Sequence, residues 1–103
     1  MTTEPPAPDW APTASPTALR QRADLLRDIR SFFEERGTLE VETPVLSRAG
    51  NSDPGMEQFG TRDDHWLRTS PEYALKRLLA AGGNDIYELG RVFRAGESGP
   101  WHN

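Results

Sequence analysis

The chain has 103 residues, which limits it to one small domain, and a formal net charge of −4, which argues against nucleic-acid binding over the whole surface. It has no cysteine, which excludes disulfides, thiolate zinc sites and a cysteine nucleophile. No apolar run reaches the roughly 20 residues of a membrane span, and the N-terminus does not resemble a signal peptide, so we expect a cytoplasmic protein.

A leader and a long helix come first. Residues 1–15 are rich in Pro, Ala and Thr, and we expect them to be disordered because they have little apolar surface to bury. Residues 16–103 are expected to form the folded region. It begins with the helix "SPTALRQRADLLRDIRSFFEERG", in which Ser15 is the cap, Pro16 lies in the first turn and Gly37 follows the end. The predicted apolar stripe comprises Leu25, Ile29 and Phe32, flanked by Leu26 and Phe33.

The middle of the chain reads as short strands joined by turns. "TLEVETPVL" alternates apolar and acidic residues, which predicts a half-buried strand over residues 38–46, and Pro44 marks its end or an edge. "SRAGNSDPG" is dense in turn-forming residues and predicts a loop. "MEQFGT" and "HWLRT" are short strand candidates, and the "RDD" between them predicts a hairpin turn.

A second helix and a last strand complete the pattern. In "SPEYALKRLLAAGG", Ser70 is the predicted cap, Pro71 starts the helix and Glu72 lies in the first turn, where the helix dipole favours a carboxylate. The predicted buried face consists of Leu75, Leu78 and Leu79. "NDIYELGRVFR" then predicts a strand over residues 84–94. The order of elements indicates an α+β fold with an antiparallel sheet.

Two groups of residues could carry chemistry. Ser70 and Glu72 would present a hydroxyl and a carboxylate to a ligand ammonium, but from spacing alone an ordinary helix cap with a dipole-stabilising acid is the simpler explanation. Arg94, followed by a glycine-containing loop, offers a rigid fork for phosphate oxygens, but taken alone it is more simply a strand-end arginine paired with a surface acid. His65 and His102 are not clustered with other ligands, so we expect no metal site.

Three stretches in order resemble a known family. "RGTLEVETPVL" is similar to the first signature of class II aminoacyl-tRNA synthetases, "RTSPEYALKRLL" to the amino-acid-binding segment of lysyl-type members, and "GRVFRAGESGPWHN" to the start of the second signature. Within the class, "TSPEY" resembles the elongation factor P–lysine ligase family, which lacks the anticodon-binding domain. The resemblance implies the N-terminal part of an antiparallel-sheet catalytic domain that is incomplete and ends within the second signature.

This resemblance implies the function. Such ligases activate lysine or (R)-β-lysine with ATP and transfer it to a lysine of elongation factor P. On this basis Ser70 and Glu72 hold the substrate amino groups, Pro71 fixes the turn, and Arg94 is the catalytic residue that binds the α-phosphate. Mg²⁺ is expected on the phosphates, with ligands outside this chain, and the helix and strand over residues 19–46 are expected to form a homodimer interface.

The resemblance assigns ATP binding also to Gly96, Glu97, His102 and Asn103, the last two near the adenine. The usual second signature has Glu two residues after its Arg, whereas this chain has Gly96 there and Glu97 next. Two alternatives stay open: aminoacylation of tRNA, which the short leader and acidic charge disfavour, and a non-catalytic fragment that only dimerises or binds a partner. We expect these 103 residues to be inactive alone, since the remaining strands of such a site would lie beyond them.

Overall fold

The structure is a computed structural model that describes residues 5–50 and 57–96. Its elements are, in chain order, α1 (Pro16–Glu35), β1 (Leu39–Glu40), β2 (Leu46–Ser47), β3 (Trp66–Leu67), α2 (Glu72–Ala80) and β4 (Ile86–Tyr87). Helices and short strands therefore occur together, as expected for the α+β class. The chain divides into two compact units, Met1–Phe32 and Phe33–Asn103. Residues 5–15 contain neither helix nor strand, although the Ala11 N–H donates to the Pro8 carbonyl at 2.9 Å.

Helix α1 has the predicted ends. The Ala18 N–H donates to Ser15 Oγ at 3.1 Å, which caps the first turn, and Gly37 ends the helix with a left-handed φ of 70°. The predicted apolar stripe is only partly covered within the chain, since Leu25 and Phe32 are 57% and 48% exposed. The less exposed side chains are Leu26, Ile29 and Phe33, each of them half-buried.

The strand predicted over residues 38–46 is wrong as a single element, because it is divided into β1 and β2. Two features interrupt it. Pro44 has no N–H to donate to a strand ladder. The Thr43 N–H donates to a side chain, Glu88 Oε2 at 3.3 Å, and not to a neighbouring strand. The last predicted strand, residues 84–94, is likewise reduced to β4. The turn predicted at residues 62–64 is confirmed, since the Thr61 N–H donates to the His65 carbonyl at 2.8 Å.

The strands pair in two separate two-stranded sheets. β2 and β3 are antiparallel, with Leu46 opposite Leu67 and Ser47 opposite Trp66. β1 and β4 are parallel, so the expectation of an antiparallel sheet is wrong for this pair. A parallel pair needs a long crossover connection, which the chain between β1 and β4 supplies and which contains α2.

Helix α2 ends where the sequence predicts but begins one residue later, because Pro71, predicted to start the helix, is its N-cap, and the predicted cap Ser70 precedes it. The Glu72 N–H donates to Ser70 Oγ at 3.1 Å, and Gly82, with φ of 97°, follows its last turn. Its predicted buried face is wrong in part: Leu75 is half-buried, whereas Leu78 and Leu79 are 41% and 48% exposed. Counted as whole residues, main chain included, the buried ones in the described part of the chain are two threonines, Thr43 and Thr69, and no apolar residue is buried.

Candidate functional site

A cavity of about 610 Å³ lies within the unit Phe33–Asn103. Its wall comes from the segment after β1, from the loop after β2, from β3 and from the first turns of α2. Trp66 and Tyr73 are its aromatic lining residues, and Ser70, Arg68 and Glu42 are among the polar ones. A cavity of this size, mostly apolar with a few polar groups, suits a small organic ligand.

The structure brings two of the three predicted substrate-binding residues to this cavity. Ser70 and Pro71 line it, whereas Glu72 is not among its lining residues. The Glu72 carboxylate instead pairs with Lys76 Nζ at 2.6 Å, one turn along α2, and both side chains are more than 60% exposed. The hydrogen bond that Lys76 donates to the Glu72 carboxylate raises the pKa of Lys76. Because the pair is exposed, solvent screens it and other cations can compete for the carboxylate.

Arg94, the predicted phosphate ligand, lies close to the same turn. Its Nε donates to the carbonyl oxygen of Thr69 at 3.3 Å, and its side chain is half-buried. Thr69 is only 4% exposed and directly precedes Ser70, so this hydrogen bond joins Arg94 to the start of α2. The two candidate groups, far apart in sequence, are therefore neighbours in space.

Gly96 lies in a left-handed conformation, with φ of 77°. A Cβ at this position would lie 2.7 Å from Glu57 Oε2, and the Ala95 N–H donates to the Glu57 carbonyl at 3.2 Å. The backbone angle therefore favours glycine, whereas the Glu57 carboxylate, at the end of a flexible side chain, would have to move aside for a Cβ. Sequence reasoning missed Glu57. The predicted residues Glu97, His102 and Asn103 lie outside the described residues.

A buried polar cluster next to the cavity was also missed by sequence reasoning. Arg68 Nη1 contacts Glu88 Oε2 at 2.7 Å and donates to Thr43 Oγ1 at 2.8 Å, while the Thr43 hydroxyl donates to Glu88 Oε1 at 2.5 Å. The side chains of Arg68 and Glu88 are only 7% and 3% exposed. We call this group the Thr43–Arg68–Glu88 cluster. The available signal was a charged residue within each of two apolar strand segments, "HWLRT" and "IYELG".

The cluster keeps its carboxylate charged. Burial by itself raises the pKa of Glu88, but the hydrogen bonds from Thr43 and Arg68 outweigh burial, so that the pKa lies below its ordinary value. A buried ion pair of this kind adds little net stability, because desolvation of both charges opposes their attraction, but removal of one partner alone is costly because it leaves a buried charge unpaired.

Within residues 5–50 and 57–96, no group of three or more histidine, aspartate or glutamate side chains could hold a metal ion. His65 is directed at its own turn, with Nδ1 at 3.0 Å from the Asp63 carbonyl oxygen. The described residues therefore do not fit a Mg²⁺ site. In the same part of the chain, neither helix combines the length and the apolar character needed to cross a membrane.

Comparison with known proteins places these features in a family. Residues 9–103 match the family model described as tRNA synthetases class II (D, K and N). Proteins named elongation factor P–(R)-β-lysine ligase are similar to this chain: those of Vibrio cholerae serotype O1 and Histophilus somni (strain 2336) are each 50% identical, over 92% and 91% of the chain. The ligase of Hamiltonella defensa is 44% identical over 94% of the chain. The chain spans about a third of the length of these relatives.

Proposed function

This chain belongs to the class II tRNA synthetase family of the D, K and N type, and from that membership we propose that the protein activates lysine or (R)-β-lysine with ATP and transfers it to a lysine of elongation factor P. Support comes from the names of the relatives that are 44–50% identical. The structural observation that carries the proposal is the hydrogen bond from Arg94 to Thr69, which joins the proposed phosphate-binding group to the turn before α2.

The proposed first step needs no side-chain nucleophile. A carboxylate oxygen of the amino acid attacks the α-phosphorus of ATP, the bond to the β-phosphate oxygen breaks, and pyrophosphate leaves. The guanidinium of Arg94 would bind the α-phosphate as a fork and stabilise the charge that develops there. In the second step, the neutral side-chain amine of the acceptor lysine attacks the adenylate carbonyl carbon and AMP leaves. Catalysis would rest on positioning and electrostatics.

The amino acid would occupy the cavity beside α2. Ser70 and Pro71 line it, and the Ser70 hydroxyl, which already accepts from the Glu72 N–H, can still donate one hydrogen bond. We propose that Glu72 exchanges Lys76 for a substrate ammonium group, because the existing pair is exposed and screened. Such an exchange would turn the carboxylate from the helix surface to the substrate.

The nucleotide would lie beyond Arg94. Gly96 would allow backbone to approach the nucleotide, and Glu97, His102 and Asn103 are proposed as further ATP-binding residues. Glu57, which lies beside Gly96, is an additional acidic group at this loop. Mg²⁺ that accompanies ATP would be held by groups outside the described residues.

We also propose a cytoplasmic homodimer with an interface over residues 19–46. The proposal is supported by large apolar side chains that are exposed in this range: Leu19, Leu25, Phe32, Leu39, Val45 and Leu46. Burial of such side chains against a second copy would favour association. Sedimentation of the Leu25→Glu variant, compared with the unmodified protein, tests the interface: loss of the dimer is expected, and an unchanged dimer would exclude this face.

The function is tested by ATP–pyrophosphate exchange, measured in a protein of the relatives' full length that carries this segment. Exchange should depend on lysine or (R)-β-lysine, and radiolabel should then pass to elongation factor P and not to tRNA. Transfer to tRNA would favour the tRNA-charging alternative. Absence of exchange with every amino acid would favour a non-catalytic role in dimerisation or partner binding.

A further inference from the structure

The segment that carries Arg94 has little regular structure of its own. Strand β4 ends at Tyr87, and residues 88–94 contain neither helix nor strand. Ladder hydrogen bonds therefore do not define the path of the backbone that leads to Arg94. Other contacts must hold it if Arg94 is to meet a phosphate in a fixed geometry.

One residue contacts this segment at three places. Arg68 Nη1 lies 2.7 Å from Glu88 Oε2, Arg68 Nε donates to the Arg91 carbonyl at 2.8 Å, and the Phe93 N–H donates to the Arg68 carbonyl at 2.9 Å. The Arg68 N–H itself donates to the Val45 carbonyl at 2.9 Å. Arg68 thus ties residues 88–93 to the segment that precedes β2.

Most of the same guanidinium is already engaged by the protein. Its side chain is 7% exposed, and Nε and Nη1 are engaged by the Arg91 carbonyl, Glu88 and Thr43. The guanidinium also lies against Gly90. Although Arg68 borders the cavity, its contacts are with other protein groups, which favours a structural role beside the site over direct binding of a ligand.

We propose that Arg68, held by Glu88 and Thr43, is a positioning residue that fixes residues 88–94 and thereby directs Arg94 towards the α-phosphate of ATP. This inference rests on the proposed function. It depends on the planar fork of arginine, which bonds in several directions at once. A lysine ammonium at the same position could not reach Glu88, Thr43 and the Arg91 carbonyl together.

The test compares Arg68→Lys and Glu88→Gln in the ATP–pyrophosphate exchange assay, with Arg62→Lys as a matched control in the exposed turn at residues 62–64. We expect each cluster variant to raise the KM for ATP about tenfold or more, because small misplacements of a binding group weaken a preorganised site strongly. The KM for the amino acid should change less than about twofold, and Arg62→Lys should match the unmodified protein. A purely structural role would lower the amount of active protein without moving the KM for ATP.

The double variant Arg68→Met/Glu88→Gln is included in case the single variants do not fold. It leaves no buried charge without a partner, so it should be less destabilised. It should keep a cooperative unfolding transition and still have the raised KM for ATP. If a folded cluster variant has an unchanged KM for ATP, and Arg94→Ala still abolishes exchange, the inference about Arg68 is overturned but the phosphate assignment stands. If Arg94→Ala retains full exchange, the phosphate assignment itself fails, and the positioning role fails with it.

Discussion

The guanidinium of Arg68 packs against Gly90, and a Cβ at position 90 would clash with Arg68 Nη2. The Glu88 carboxylate lies on the same side, 3.0 Å from where that Cβ would be. The Thr43–Arg68–Glu88 cluster, in the observed arrangement, therefore leaves no room for a side chain at position 90.

We expect Gly90→Ala to lower the free energy of unfolding by about 1–3 kcal/mol, the usual cost of overpacking a closely packed position. The cause is steric, since Gly90 does not have the left-handed φ seen at Gly37, Gly82 and Gly96. Urea denaturation measures the change. Because Arg68 is held by several hydrogen bonds, its guanidinium cannot move aside without breaking them.

The control for this prediction is the same Gly90→Ala change in an Arg68→Met/Glu88→Gln background. There the guanidinium is gone, so the cost of the alanine should be smaller by a measurable coupling energy. An equal cost in both backgrounds would show that the Arg68 guanidinium is not the obstacle at position 90.

Stability should fall at acid pH because of Glu88. Its pKa in the folded protein lies below the ordinary value of 4.5, so its contribution is present above pH 4.5 and is lost as the pH falls through the folded pKa. We expect Glu88→Gln to flatten the dependence of unfolding free energy on pH below about 4.5. Asp63 also has a lowered pKa, through its hydrogen bond with Thr61, but it is exposed, so Asp63→Asn should flatten this dependence less.

Two adjacent phenylalanines should respond differently to truncation. Phe33 stacks on Tyr87 with ring centroids 4.1 Å apart, whereas Phe32 is 48% exposed. We expect Phe33→Ala to cost about 2–3 kcal/mol of unfolding free energy, because it removes half-buried apolar area and an aromatic pair. Phe32→Ala should cost less than about 1 kcal/mol in the monomer. Equal losses, measured by urea denaturation at low protein concentration, would contradict the burial difference.

The role of Glu72 can be separated from its ion pair with Lys76. Glu72→Gln and Lys76→Met both remove the pair, but only the first removes the proposed ligand of the substrate ammonium. We expect Glu72→Gln to raise the KM for the amino acid about tenfold or more, and Lys76→Met to leave it within about threefold. If both variants have the same KM as the unmodified protein, Glu72 serves only as an acid in the first turn of α2.

Arg94→Ala should abolish amino-acid-dependent ATP–pyrophosphate exchange, because it removes the proposed α-phosphate ligand. Arg94→Lys should retain a small part of the activity, since it keeps the charge but loses the fork. Circular dichroism shows whether each variant is folded. Wild-type exchange by folded Arg94→Ala protein is the result that would remove Arg94 from the site.

Local chemistry in the sequence determined both ends of α1 and the C-terminal end of α2. Ser15 accepts a hydrogen bond from the first turn of α1, and Gly37 and Gly82 follow the last turns of the two helices in left-handed conformations. The start of α2 was predicted to within one residue, since its N-cap is Pro71 and not Ser70. These features are predictable because they depend on residues within one turn of each other. The family was predictable as well, from three motifs in order, and the family-model match over residues 9–103 confirms it.

Tertiary structure alone decided which strands pair and which charges are buried. The parallel pairing of β1 with β4 joins residues 47 positions apart, Leu39 and Ile86, and no local pattern specifies such a partner. The same holds for Thr43, Arg68 and Glu88, which come from three separate segments and become a cluster only when those segments meet. From sequence alone, a charged residue in a predicted strand is expected to be exposed. The Arg68 and Glu88 side chains are buried instead, because each satisfies the hydrogen bonds of the other across a long separation in the chain.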